Sequence, residues 1–230
     1  MSTASPTVPA PAPVPAPPDP VRSRVVAAVL ALGVLTSATI VLWQPWGERD
    51  DLSYETLADH RTGAWLGAIL DGVGMAAVAL GLGLATCLLV RGRGRTTATV
   101  GAVLAGLGAI LFAGGSTAFG VLAWYATEPD ALAADQGDAL LTYVDDNLAQ
   151  LIVVSGAGFA LVTLGSLTLM FALWRARAVP TWLPIVFAVL TVGLFATTGT
   201  VMNVVQAAQT LCLAGVAAVL SQVTRSPGRG

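Results

Sequence analysis

Long apolar runs, most of them ended by a group of arginines, constrain this sequence more than any other feature. Four runs cover residues 25–42, 64–90, 96–126 and 148–174, and Asp71 is the one charged residue inside them. Residues 181–221 then form a fifth, charge-free run of 41 residues. A helix needs about 20 residues to cross about 30 Å of hydrocarbon, so the fifth run is long enough for two. We therefore predict an all-α, polytopic membrane helical bundle with six transmembrane helices.

The composition argues against a soluble globular domain. The chain is 55% hydrophobic and 10% charged, with a mean hydropathy of +0.77, whereas about 25% charged residues are usual in soluble domains. Both cysteines fall inside apolar runs, and the single histidine, His60, lies in a charged loop. We therefore expect no disulfide, metal site, cofactor or nucleic-acid partner. We also expect no enzyme, because no serine has the base of a hydrolase triad within reach.

The predicted organisation has three parts. Residues 1–21 are rich in proline and alanine, which favours a disordered tail on the cytoplasmic side. The six-helix transmembrane domain covers residues 22–224, and its spans lie near 25–43, 64–90, 97–126, 148–174, 181–199 and 203–221. Residues 225–230 form a second cytoplasmic tail. The turn between the last two spans is expected in a polar cluster made of Thr197, Thr198, Gly199, Thr200 and Asn203.

The arginines predict how the spans are oriented. The chain has no lysine, and six spans bring nine of its eleven arginines to one side: Arg22, Arg24, Arg91, Arg93, Arg95, Arg175, Arg177, Arg225 and Arg229. Eleven of the thirteen carboxylates fall on the other side. Because arginines in short loops stay in the cytoplasm, we expect a plasma-membrane protein with both termini cytoplasmic. The elbow from Arg91 to Arg95 is so short that the second and third spans must be antiparallel neighbours.

An acidic loop, residues 127–147, separates the third and fourth spans. Thr127, Glu128 and Pro129 predict the start of a helix, with a capping hydroxyl, an acid near the positive end of the dipole and a proline in the first turn. The spacing of the apolar residues in the second half of the loop indicates a short amphipathic helix on the surface of the bundle.

Small residues follow one another at every fourth position of the third span: Gly101, Ala105, Ala109, Ala113 and Thr117. Helices in lipid associate through close van der Waals contact, which small residues permit. We therefore expect this span to pack closely along this face and to lie at the centre of the bundle.

A few polar side chains enter the predicted spans and are the candidate site. Asp71 lies in the second span, where a carboxylate costs about 2.5 to 3.5 kcal/mol on insertion scales. Four amides approach from the same predicted outer side, namely Gln150, Asn203, Gln206 and Gln209. Two interpretations remain open. The five residues line a polar cavity that opens outward, or the amides pair with Asp71 and hold the helices in register.

A resemblance supports this topology. The segment from Ala172 to Trp182, the Trp124-Tyr125 ending of the third span, the acidic loop and the exclusive use of arginine as the basic residue are its basis. With these features, the chain resembles a group of multi-pass membrane proteins of unknown activity from high-GC actinobacteria. The resemblance implies a bacterial inner-membrane protein of about six spans and assigns no catalytic residue.

Two functions fit these observations. The first is a non-enzymatic structural or regulatory component of the membrane, whose partners are the lipid bilayer and other membrane proteins. The second is a small-solute or proton permease that uses Asp71.

Overall fold

The computed structural model describes residues 19–44, 46, 53–92, 94–147 and 149–223, except for the side chains of residues 150–152 and 223. These residues contain no strand and form nine helices: α1 (Pro20–Trp43), α2 (Tyr54–Asp59), α3 (Arg61–Leu89), α4 (Arg95–Ala126), α5 (Ala134–Asp146), α6 (Ala149–Arg175), α7 (Trp182–Ala196), α8 (Gly199–Cys212) and α9 (Ala214–Val223). Several predicted features lie outside the described residues: the proline-rich tail up to residue 18, Arg93, and the C-terminal tail with Arg225 and Arg229.

Five helical segments are long and apolar enough to cross a membrane. They are α1, α3, α4, residues 153–175 of α6, and the joined helices α8 and α9, which run together over residues 199–222. Helix α7 is apolar but has 15 residues, which at 1.5 Å each give about 22 Å. The six expected spans therefore correspond to five long helices and one shorter one.

The turn between α7 and α8 falls inside the polar cluster of the sequence. Thr197 and Thr198 are extended, and Gly199 has φ of +58°, a conformation that glycine adopts without the steric cost of a side chain. Asn203, which the sequence grouped with this turn, belongs to the first turns of α8 instead. The chain thus reverses in about two residues.

Helices α3 and α4 form a straight antiparallel hairpin around the arginine elbow. Three facing pairs show this: Gly72 with Ala113, Gly83 with Ala102, and Arg61 with Trp124. In each pair the two residues are equally far along the chain from the bond between Gly92 and Arg93. The same register therefore holds over the whole length of the hairpin.

Two further helices pack antiparallel against this hairpin, α1 against α3 and α6 against α4. Gly81 of α3 lies against Leu30 of α1, where an added Cβ would be 2.7 Å from the Leu30 Cα. On the other side, α4 contacts α6, and a Cβ added to Gly108 would be 2.5 Å from the backbone nitrogen of Val162. Because successive helices alternate in direction, Arg22, Arg24, Arg91, Arg95, Arg175 and Arg177 all lie at one end of the bundle.

Helix α3, rather than α4, is the central helix. Within the most apolar 18 residues of each helix, 56% of the residues are buried in α3 and 33% in α4. α3 contacts α1, α4 and α6, whereas one side of α4, which includes Val103, Leu107 and Ile110, is exposed. The expectation that the third span occupies the centre was therefore wrong.

The small-residue ladder of α4 does not stay on one face. Gly101 and Ala105 contact α6 and Ala109 is buried, but Ala113 contacts Gly72 of α3 and Thr117 is exposed. The physical reason is that a helix has 3.6 residues per turn, so each step of four overshoots by about 40° and four steps by about 160°. The ladder therefore serves two interfaces in succession.

The acidic end of the bundle, opposite these six arginines, is covered by α2 and α5, whose exposed acids include Glu55 and Asp135. Leu57 of α2 and Leu141 of α5 form a small apolar cluster with Ala64, Ala123 and Ala126. Thr127 does not start a helix as the sequence suggested. Its hydroxyl donates to the carbonyl of Ala123 at the C-terminus of α4, and α5 begins only at Ala134.

Candidate functional site in the middle of the bundle

Several polar side chains of α3, α6, α7 and α8 are buried inside the bundle. All are less than 10% exposed: Asp71, Ser166, Thr191, Asn203, Gln206, Gln209 and Thr210. Three of them, at positions 203, 206 and 210 of α8, recur at intervals of three and four residues and so share a face. Hence α8 turns a polar face towards the interior of the bundle.

A hydrogen bond between two of these side chains joins α8 to α7. The Gln209 amide Nε2 donates to the Thr191 hydroxyl over 2.6 Å, and that hydroxyl donates to the Phe187 carbonyl over 2.8 Å. In α8 itself the Thr210 hydroxyl donates to the Gln206 carbonyl over 2.9 Å. The two threonines thus satisfy their own hydroxyls within their helices, while Gln209 makes the contact between helices.

Some of these side chains line a cavity of about 40 Å³. Its polar lining comes from Thr163, Ser166, Gln206, Gln209 and Thr210, and its apolar lining includes Met75 of α3 and Phe187 of α7. A water molecule needs roughly 10 to 15 Å³ of such space and two to four polar partners, so this cavity suits a few waters. Met75 is the middle residue of α3, which places the cavity halfway along the bundle.

The structure brings together only some of the predicted site residues. Gln206 and Gln209 line the cavity, whereas Asp71 and Asn203 do not. Asp71 is one turn from Met75 and Asn203 one turn from Gln206, both towards the acidic end of the bundle. The side chain of Gln150 lies outside the described part of the molecule.

The chemistry available at the cavity is limited to amides and hydroxyls. None of its lining side chains titrates near neutral pH, so the lining holds no acid or base that could relay a proton. Within the described residues, no group of three or more His, Cys, Asp or Glu side chains could hold a metal ion. The arrangement can bind water and fix the positions of helices.

Sequence reasoning missed a second polar contact, at the acidic end. The Arg61 guanidinium lies 2.9 Å from a Glu128 carboxylate oxygen, 3.2 Å from the Thr127 carbonyl oxygen and 4.9 Å from the centre of the Trp124 ring. Trp65 packs on the same ring at 5.6 Å. The signal was present, because folding the chain back at the arginine elbow places Arg61 opposite Trp124.

No protein-family model, curated protein or solved structure matches this chain. The class of protein is therefore defined by the fold alone. It is an all-helical chain with five helices long and apolar enough to cross a membrane, and with a small polar cavity halfway along them.

Proposed function

We propose that this chain is a non-enzymatic, multi-pass protein of a bacterial plasma membrane that acts as a structural or regulatory partner of other membrane proteins. The proposal rests on the observation that buried polar side chains join helices to one another. Gln209 and Thr191 join two helices, and the cavity beside them has about 40 Å³, too little for a solute. The surface of such a bundle is left to make the functional contacts.

The proposed topology has six spans, with α7 as the short fifth span and both termini in the cytoplasm. Its support is the collection of six described arginines at one end of the bundle, together with the positive-inside rule. Exposed acids of α5, such as Asp135 and Asp138, lie at the opposite end.

Reporter fusions test this topology at three positions. A reporter at Gly94 should be cytoplasmic, and reporters at Gly137 and Thr198 should both be on the outer side. If Gly94 and Gly137 report the same compartment, the topology is wrong. If Thr198 alone agrees with Gly94, α7 does not cross the membrane and the six-span assignment is wrong.

Reconstitution tests the function. The purified full chain in liposomes that contain a pH-sensitive dye should give no more proton flux than empty liposomes, and a native-membrane cross-link should capture a defined partner in constant ratio. Flux that depends on the amount of protein would contradict the proposal.

The alternative is a small-solute or proton permease that uses Asp71. A specific observation favours it, because transporters place their sites near the bilayer midplane beside interrupted helices. Here the mid-bundle cavity is next to Leu213, where α8 ends before α9 begins, and the buried Asp71 lies about one turn away. Under this alternative Asp71→Asn abolishes flux while the protein still inserts. Under the first proposal it changes only thermal stability.

A further inference from the structure

A groove between α6 and α7 opens on the surface of the bundle at the arginine end. It has a volume of about 310 Å³ and is lined by Leu167, Met170, Phe171 and Trp174 of α6 and by Pro184 and Ala188 of α7, among others. From Trp174 to Leu167 it extends about 10 Å along the helix, at 1.5 Å per residue. Its volume is at the lower end of the range of small-molecule sites, about 300 to 1,000 Å³. The lining of the groove is almost entirely apolar, which suits a hydrocarbon chain.

Two exposed arginines follow Trp174, the last groove residue of α6, in the chain. Arg175 ends α6 directly after Trp174, and Arg177 follows two residues later. The chain has no aspartate or glutamate after Asp146, so the whole segment that forms the groove offers these guanidinium groups no carboxylate. Neither arginine forms an ion pair with any residue that the structure describes.

Arg177 also has a backbone conformation that favours glycine. The Arg177 N–H donates to the Trp174 carbonyl and the Ala178 N–H to the Leu173 carbonyl, the pattern of a Schellman motif, in which the left-handed residue is commonly glycine. Arg177 adopts this conformation with φ of +52°. For a residue with a side chain this conformation is strained. Glycine is therefore the residue that this position would favour, and the chain has an exposed arginine there instead.

We propose that the α6–α7 groove binds one anionic glycerophospholipid, with an acyl chain in the groove and its phosphate at Arg175 and Arg177. Charge complementarity selects this occupant, since an apolar groove that is followed in the chain by two exposed arginines without an ion-pair partner among the described residues matches a hydrocarbon chain attached to a phosphate. Trp174 and Trp182, 48% and 60% exposed, flank the opening where amphipathic rings sit at an interface. This proposal rests on the membrane setting proposed above but not on the choice between structural component and permease.

Native mass spectrometry of the full chain in neutral detergent tests the proposal, with phosphatidylglycerol and phosphatidylcholine as the probes. The first molecule of phosphatidylglycerol should bind at a lower lipid concentration than any additional molecule. Phosphatidylcholine should not displace it. The double variant Arg175→Gln/Arg177→Gln should weaken this binding roughly tenfold or more, because each arginine near a surface contributes about 1 kcal/mol. The matched control, Arg22→Gln/Arg24→Gln, removes two exposed arginines at the same end and should leave the binding unchanged. Equal weakening in both variants would reduce the effect to general charge attraction and overturn the site.

Two further variants, one of them with a matched control, separate the contributions of the acyl chain and of the fold from that of the headgroup. Ala188→Trp fills the groove and should abolish the tight binding, whereas Ala118→Trp on the exposed side of α4 should retain it. Arg177→Gly should raise the melting temperature in lipid-free detergent because it relieves the left-handed strain, yet weaken phosphatidylglycerol binding. If the role of Arg177 were purely structural, the variant would not combine a higher melting temperature with weaker lipid binding.

Inorganic phosphate distinguishes the lipid from a free anion. It should neither bind tightly nor displace phosphatidylglycerol, and displacement would overturn the assignment of a lipid. Resistance of the chain to alkaline extraction from membranes checks the membrane setting separately. A chain that resists extraction but shows no preference for phosphatidylglycerol contradicts this inference alone.

Discussion

Two halves of the bundle are held together by different means. α3, α4 and α6 approach one another backbone to backbone through glycines, as at Gly108 and Gly158, with no space for one added carbon. α7 and α8 are joined by the hydrogen bond from Gln209 to Thr191 and leave a cavity of about 40 Å³ beside it. In the proposed membrane setting, burial away from water does not drive apolar helices together, so close packing and polar contact are the means that can hold them. We expect the first half to be intolerant of added volume and the second to be tolerant of altered chemistry.

The largest expected effect tests the glycine-packed half. Gly108→Ala should lower the free energy of unfolding by about 2 kcal/mol or more, because the new Cβ would be 2.5 Å from the Val162 backbone nitrogen and a backbone atom yields only by moving a helix. Reversible unfolding in mixed detergent micelles measures it.

The control for this substitution lies two residues away in the same helix. A Cβ added to Gly106 has no atom within 4 Å, so Gly106→Ala should be neutral or stabilise the protein by up to about 1 kcal/mol through helix propensity. Similar losses for the two alanine variants would mean that the backbone contact between α4 and α6 is not what holds this half.

A smaller effect is expected in the polar half. Gln209→Met keeps the length of the side chain but removes the donor to Thr191, and should cost about 1 kcal/mol, within the range for hydrogen bonds between membrane helices. The same unfolding measurement with Thr191→Val completes a double-mutant cycle, and the two losses should not add. Gln222→Met, at an exposed glutamine of α9, is the control and should change the free energy by less than about 0.5 kcal/mol.

The comparison would be reversed if Gln209→Met lowered the free energy of unfolding by more than Gly108→Ala does. The polar contact between α7 and α8 would then be the main support of the bundle, and the close glycine contacts would be incidental. Additive losses at Gln209 and Thr191 would instead show that the two side chains are not coupled.

Much of the fold could be predicted from the positions of charged and apolar residues. Because a charge is costly to bury in an apolar setting, charged residues mark the ends of the buried helices. The arginine elbow at residues 91–95 predicts the α3–α4 hairpin, and the structure has it in a constant register. Which helix is central could not be predicted, because burial depends on how many neighbours a helix has. The small residues of α4 suggested the centre, but they turn around the helix from α6 to α3.

The candidate site was predictable in part for the same reason. Polar residues in apolar runs, such as Gln206 and Gln209, stand out in sequence, and the structure places both at the cavity. Thr191 and Ser166 do not stand out, because hydroxyl residues are common in the apolar helices of this chain and the Thr191 hydroxyl can donate to a carbonyl of its own helix. Their role follows only from the neighbours that the fold gives them.

The smallest expected effect sharpens the comparison, because it concerns a polar contact within the glycine-packed half. Arg61 and Glu128 join the start of α3 to the end of α4, but their side chains are 28% and 23% exposed. Solvent screens such a pair, so a double-mutant cycle of Arg61→Gln and Glu128→Gln should give a coupling of about 0.5 kcal/mol. The control cycle pairs Arg61→Gln with Glu55→Gln, at an exposed acid of α2 at the same end, and should give no coupling.

Arg61→Gln alone should lower the free energy of unfolding by somewhat more than the coupling, because it also removes the cation from the Trp124 ring. A coupling above about 2 kcal/mol would show that this half, too, depends on a polar contact, and the distinction between the halves would fail.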